Sequence, residues 1–221
     1  MFKKYASAIL LSKSENKNIN ATMTTRIGVI AIQGNVEEHV RALEKTLADR
    51  GEKGEVVKIK HQGIVKSCDA IVIPGGESTT IGRLMVREGI FAEIKETAGE
   101  EKPILGTCAG MVLLAKEGDE EVAKTGQPLL GLMDVKVKRN ALGRQRESFE
   151  VLLKMSIFDE PFHAVFIRAP FIIQAAENVD VLTTFNGHIV AAKQRNMLAL
   201  SFHPELTEDR RLHHYFLDLG T

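Results

Sequence analysis

Tryptophan is absent from the sequence, and its aromatic residues are ten phenylalanines and two tyrosines. Such a thin aromatic content offers no platform for stacking nucleic-acid bases. Neither sign of charge is in excess. The 29 lysines and arginines balance 29 aspartates and glutamates, which excludes the basic surface that phosphate backbones require. Cysteine occurs only at Cys68 and Cys108. That is too few for a disulfide framework and lacks the spacing of a zinc site, a usage that fits the reducing cytoplasm. No apolar run approaches the length of a membrane span. The expected partner is a small molecule or another protein, with no metal and no cofactor.

The remaining composition is that of a globular chain. With 221 residues and 44% hydrophobic content, it can bury one full core, and a single α/β domain is expected over residues 26–221. Residues 1–25 differ in texture. Met1-Phe-Lys-Lys4 resembles the start of a signal peptide, but the apolar stretch Tyr5 to Leu11 is short and no cleavage site follows. These residues are expected to be a disordered amino-terminal extension.

Ile27 to Ile32 is a nearly continuous β-branched run, the pattern of a parallel strand covered on both faces. Asn35, with Glu38 three residues on, reads as a capping box for a helix whose face carries Val36, Val40, Leu43 and Leu47. Gly51 stops that helix. Val56 to Ile59 and Asp69 to Ile73 read as further strands, and the charged segment Asp49 to Lys66 as a solvated loop and edge strand. This alternation predicts a doubly wound, mostly parallel sheet with helices on both faces and functional loops at the strands' carboxyl ends. After about residue 130 the texture changes to short strands: Leu132–Val137, Phe149–Lys154, Ala164–Ile167, Val181–Phe185, His188–Ala192 and Met197–Ser201. Asn186-Gly187 marks a hairpin. This β-rich extension is expected to continue the same sheet, and Leu206 to Leu219 to close the chain as a helix.

Three loops could carry chemistry. Gly106-Thr-Cys-Ala-Gly110 has the form of a nucleophile elbow with cysteine in the serine position. A helix starting there would aim its N–H groups at the sulfur. On the pentapeptide alone, a buried structural cysteine is an equal reading. In Phe202-His-Pro-Glu-Leu206, extended backbone would project His203 and Glu205 to one side with Cα atoms about 6.5 Å apart. A base and its orienting carboxylate would then meet, whereas a plain turn is the simpler reading. Gly75-Gly-Glu-Ser78 is either a tight turn or a glycine nest facing an oxyanion. Ser78 would cap the following helix.

Taken together and in this order, the three loops resemble those of the class I, triad-type glutamine amidotransferases. More narrowly, the chain is similar to the glutaminase subunits of pyridoxal 5′-phosphate synthases. Further stretches carry that closer match: Ile30-Ala-Ile-Gln-Gly34 with Glu38-His39, Arg139 to Gln145, Ser148-Phe-Glu150, Phe166-Ile-Arg-Ala-Pro170, and Ala191-Ala-Lys-Gln194. The resemblance spans residues 26 to about 219 and implies a flavodoxin-like class I glutaminase fold. It implies hydrolysis of L-glutamine to glutamate and ammonia, and transfer of the ammonia to a synthase subunit that builds pyridoxal 5′-phosphate. Carried over by motif, Cys108 is the nucleophile, His203 the general base and then acid, and Glu205 its orienter. Gly76 and Ala109 form the oxyanion hole. Substrate binding maps to Gly76, Glu77, Ser78, Arg139, Ile167 and Arg168. Gln33 and the adjoining helix start would contact the synthase and couple its binding to oxyanion-hole formation.

Family members often carry an aromatic residue where Leu142 stands. Cys68, which matches no motif, is expected to be structural. His39 reads as a packing or partner-contact residue, His61, His163 and His188 as loop or strand-start residues, and His213 and His214 as surface. Two other readings compete: the glutaminase of a different amidotransferase, and a regulatory homologue without catalysis.

Overall fold

A computed structural model describes residues 24–139 and 148–220. The amino-terminal extension up to residue 23 and the loop around Leu142 lie outside the described residues.

The first half alternates as expected: β1 (Thr25–Ile30), α1 (Val36–Arg50), β2 (Gly54–Ile59), β3 (Ala70–Ile73), α2 (Ser78–Arg87), α3 (Ile90–Thr97), β4 (Ile104–Thr107) and α4 (Ala109–Leu114). It continues with β5 (Ala115–Gly118), α5 (Glu120–Thr125), β6 (Met133–Lys138), β7 (Phe149–Leu153), β8 (Phe162–Phe166), β9 (Phe171–Ala175), β10 (Asp180–Phe185), β11 (His188–Gln194), β12 (Met197–Leu200) and α6 (Arg211–Asp218). The main sheet runs in the order β2-β1-β3-β4-β12-β11-β9-β6-β5, with β10 paired to β11. From β2 to β12 every pairing is parallel. Beyond β12 the sheet continues through antiparallel pairs as far as β6, with β5 parallel to β6 at the edge, so most of the β-rich extension continues the same sheet.

Strands β3, β4 and β12 are buried along their whole length, which is why they read as unbroken apolar runs. Their period of two sorts side chains to opposite faces. Ile71 and Ile73 pack with Ile81, Met85, Ile94 and Leu113 of α2 to α4. Ala70 and Val72 pack with Val40, Leu43, Leu212 and Phe216 of α1 and α6. This is the doubly wound arrangement.

Four expectations are corrected. Strands β7 and β8 pair only with each other, as a separate ribbon. Strand β9 was not anticipated; it follows Pro170, and its outer residues Ile173 and Gln174 are exposed, which blurs the apolar signal. The final helix begins at Arg211, because Pro204–Leu206 forms a 3-10 turn and Asp209 accepts the Arg211 N–H at 3.2 Å. Asn35 occupies the N-cap of α1 but makes no capping bond; its amide is used elsewhere.

The ribbon packs through phenylalanines. Phe149 stacks on Phe166 at 4.9 Å, and Phe166 and Phe162 lie 5.5 and 5.8 Å from Phe202. Phe202 is fully buried. This fixes the backbone one residue before His203.

Candidate active site

Cys108 sits between β4 and α4 with φ +47°, a left-handed conformation that costs a residue bearing a side chain roughly 1–3 kcal/mol. The surrounding backbone enforces it. The Cys108 N–H donates to Leu200 O at 2.7 Å. A Cβ at Gly110 would stand 2.1 Å from Ile73 O, so only glycine lets α4 start this close to β3. The thiol is almost buried and lies 3.9 Å from Ile167 O.

His203 follows β12, one strand over. Its N–H donates to Val165 O at 2.8 Å, and its Nδ1 lies 2.7 Å from Glu205 Oε1. The two meet across the 3-10 turn rather than along extended backbone, so the expected pairing holds by a different geometry. Asn35 Nδ2 donates to the same Glu205 oxygen at 3.3 Å and lies 3.4 Å from His203 Nδ1. A Cβ at Gly75 would fall 2.4 Å from His203 Cε1 and 3.4 Å from Cys108 Cβ. The imidazole and the thiol therefore meet under a glycine that must lack a side chain. Burial opposes charging of His203, but its hydrogen bonds with Cys108 and Glu205, together with their charges, raise its pKa to about 10. Burial likewise works against the Glu205 carboxylate, yet its hydrogen bond with the charged His203 ring keeps it below the usual carboxylate range. A thiol, a proton-accepting imidazole and an ionised carboxylate in series can activate sulfur for attack on a carbonyl carbon.

These groups open on a cleft of about 420 Å³ lined by Gly76, Glu77, Ser78, Cys108, Ala109, Arg139, Ile167, Arg168 and His203, and also by Asn35, Val112 and Pro170. Every expected site residue but one lines it, and the exception, Glu205, stands behind His203. Glu77, not Ser78, caps α2, accepting the N–H groups of Thr79 and Thr80 at 3.1 and 2.7 Å. Burial raises the Glu77 pKa, but bonds from Thr80 and Thr79 outweigh it and hold the value at about 2. Ser78 Oγ donates instead to Gln127 Oε1 at 3.1 Å. Arg139 is anchored, donating to Glu77 at 2.9 Å, Thr79 Oγ1 at 2.9 Å and Gln127 Oε1 at 3.1 Å. Arg168 has φ +46° and is exposed. Gln33 Oε1 accepts the Glu77 N–H at 3.0 Å, which ties the glycine loop to the end of β1.

Sequence reasoning missed the roles of Asn35 and Gln127 and the burial of His213. Asn35 was mistaken for a cap, and Gln127 lies in a stretch with no motif. His213, expected at the surface, is fully buried, whereas the full burial of His39 agrees with its reading as a packing residue. The only signal was positional, since His213 falls beside Leu212 on the helix face that carries Phe216.

A mostly parallel sheet with a cysteine elbow after one central strand and a His-Pro-Glu turn after its neighbour defines a class I glutamine amidotransferase. The chain belongs to the SNO glutamine amidotransferase family, whose model matches residues 29–219. It is 63% identical over 193 residues to the pyridoxal 5′-phosphate synthase subunit PdxT of Methanococcoides burtonii, covering 87% of this chain and 98% of that one. The subunit of the same name from Archaeoglobus fulgidus is 54% identical over 195 residues, covering 88% and 98%. A crystal structure described as a glutamine amidotransferase superposes with a TM-score of 0.78 at 43% identity, covering 88% of this chain and 98% of that one. PurLQS from Thermotoga maritima, at 17% identity and a TM-score of 0.57 over 90% and 96%, shares the fold. No helix among the described residues is long and apolar enough to cross a membrane.

Proposed function

We infer that this chain is the glutaminase subunit of a pyridoxal 5′-phosphate synthase: it hydrolyses L-glutamine to L-glutamate and ammonia and delivers the ammonia to a separate synthase subunit. The observation that carries this reading is the 63% identity to a PdxT subunit across 98% of that protein. The reaction proceeds in the cleft. Cys108 Sγ, its proton already held on His203, whose pKa is raised to about 10, attacks the side-chain amide carbon, and the N–H groups of Gly76 and Ala109 hold the oxyanion. His203 then passes the proton to the leaving nitrogen, ammonia departs, and a γ-glutamyl thioester remains. Water, deprotonated by His203, attacks the thioester and releases glutamate with the thiol restored. Glu205 holds His203 in register throughout.

Arg168 has no hydrogen-bond or ion-pair partner among the described residues, and its guanidinium suits the α-carboxylate of glutamine. Glu77, Ser78 and Arg139, the last held by Glu77 and Gln127, line the same cleft. Gln33, bonded to the loop that carries Gly76, is placed to transmit synthase binding to the oxyanion hole. The free subunit is therefore weakly active, and its partner raises the rate. The two unpaired cysteines support a cytoplasmic setting.

The test is a coupled assay of the chain with its synthase subunit. Glutamine should support pyridoxal 5′-phosphate formation. Cys108→Ala should abolish that but leave synthesis from ammonium salts intact. Full glutamine-dependent activity in Cys108→Ala, or synthesis from ammonium but not from glutamine by the unmodified chain, refutes the reading.

A further inference from the structure

Behind the triad lies a group of buried polar atoms that the reaction does not use. Glu205 presents Oε1 to His203 and Asn35. Its other oxygen, Oε2, is buried and has no hydrogen bond among the described residues. The group that faces this oxygen is Nε2 of His39, at 3.4 Å, with both side chains fully shielded from solvent. The same nitrogen lies 3.0 Å from Thr107 Oγ1. His39 comes from the first turn of α1, Thr107 from the end of β4 and Glu205 from the turn after β12, so three elements converge on one atom.

We propose that His39 is a positioning residue of this site: its Nε2–H, bonded to Thr107 Oγ1, turns the positive end of its dipole toward Glu205 Oε2 at 3.4 Å and holds the carboxylate so that Oε1 stays aimed at Nδ1 of His203. The proposal rests on the glutaminase reading above. A neutral imidazole carries one N–H. On Nε2 that proton faces two oxygens. On Nδ1 it would meet no acceptor, since Nδ1 is buried without a partner, and a bare Nε2 lone pair would confront an ionised carboxylate. An N–H dipole pointed toward a buried carboxylate is favourable where a lone pair would be repelled, so the Nε2–H tautomer is the one the site selects. Burial outweighs the pull of Glu205 and keeps His39 below its usual range, hence neutral. It therefore offers Glu205 a dipole and does not compete with the His203 imidazolium for the charge. The ring behind it, His213, lies edge-on at 6.5 Å between centroids and is also fully buried, so no water reaches Oε2 from that side.

His39 does not line the cleft. Its loss should therefore act on turnover and not on glutamine binding. In the complex with the synthase subunit, His39→Leu keeps an apolar volume without a donor, and His39→Gln keeps an N–H near the position of Nε2. The expected result is a kcat lowered about 10- to 100-fold in His39→Leu, the rate equivalent of losing a donor directed at a charged group, with KM within about twofold. His39→Gln should recover most of the rate. On the wild-type full chain, ¹⁵N NMR of labelled histidines should show His39 as the Nε2–H tautomer. A wild-type kcat in His39→Leu, a His39→Gln no better than His39→Leu, or an Nδ1–H tautomer overturns the proposal. If His39→Leu fails to fold, the tautomer alone decides. Cys108→Ala separates the two claims: its retained activity sinks the glutaminase site itself, whereas an inactive Cys108→Ala with the wrong His39 tautomer sinks only the positioning role.

Discussion

His213→Leu should make the protein more resistant to acid. His213 is fully buried on α6, and neither ring nitrogen has a hydrogen-bond partner among the described residues. Burial is the first cause that lowers its pKa from 6.5 to about 3, and the His39 ring lowers it further, against a weaker opposing pull from Glu205. The folded state therefore keeps the ring neutral over a range in which the unfolded chain protonates it. For a base depressed in this way, the unfolded state binds protons first, so stability is complete above pH 6.5 and is lost as pH falls towards 3. With an ordinary value of 6.5 in the unfolded chain, the linkage penalty is about 0.2 kcal/mol at pH 7 and about 2 kcal/mol at pH 5. Leucine has no such penalty and leaves no unsatisfied nitrogens, whose desolvation costs about 1–3 kcal/mol. The variant should be at least as stable at pH 7 and should gain about 2 kcal/mol more, relative to wild type, on going to pH 5. His39, lowered in the same direction, remains, so some acid sensitivity persists. The assay is urea unfolding at both pH values followed by far-UV circular dichroism, since the chain has no tryptophan to report by fluorescence. Parallel losses in the two proteins between pH 7 and 5 would show that His213 protonates within the fold and would refute the reasoning.

Four other outcomes are expected. Glu205→Gln removes the carboxylate that orients His203 and should lower the glutaminase kcat by about 10³-fold or more with KM little changed; a loss under tenfold in steady-state assays would show that His203 needs no orienter. Gln127→Leu strips one acceptor from each of Ser78, Thr79 and Arg139, and should raise KM for glutamine more than it lowers kcat; an unchanged KM would detach this wall from substrate binding. His203, raised from 6.5 to about 10, contributes stability that is complete below pH 6.5 and lost as pH rises towards 10. The stability gap between wild type and His203→Asn in denaturant titrations should therefore shrink over that window, and a constant gap would refute it. Phe202→Ala opens a cavity between Phe162 and Phe166 and should cost about 3–5 kcal/mol in calorimetry or urea unfolding, with a smaller cost showing that the ribbon collapses onto the gap.

Where a side chain's role follows from its own neighbours in sequence, the sequence disclosed it. The buried strands announced themselves as apolar runs, Gly51 ends α1 in the left-handed conformation, and Asn186-Gly187 closes the β10–β11 hairpin. Roles that depend on contacts distant in sequence stayed hidden. Asn35 has the residue type and position of a cap, but its amide reaches Glu205, 170 residues away, a partner that no local pattern reveals. Gln127 anchors Ser78 across 49 residues. His213 and His214 are adjacent in sequence, but helical geometry turns them roughly 100° apart, so one joins the Leu212–Phe216 face and the other stays at the rim. A polar residue type on an apolar face is the case in which composition misleads.

The division of labour within the sheet explains why the three motifs could be read from the residues themselves while Arg139, Ile167 and Arg168 were reached only through the family resemblance. The loops after β1, β3, β4 and β12, all strands of the parallel half, supply Asn35, Gly76, Cys108 and His203. Each leaves the carboxyl edge of a buried strand, where backbone packing tolerates only glycine at the closest approaches, and such constraints mark the sequence strongly. Arg139 follows β6, and Ile167 and Arg168 follow β8, so these cleft-lining residues come from the antiparallel extension and its ribbon. There the constraint is reach and charge rather than close packing. A cysteine, histidine and glutamate fixed by the parallel core can attack an amide, and the loops after β6 and β8 line the same cleft without taking part in that core. Changes confined to the segments after β6 and β8 should therefore alter KM and substrate choice while leaving the contacts of Cys108 with Leu200 and of His203 with Glu205 as they are.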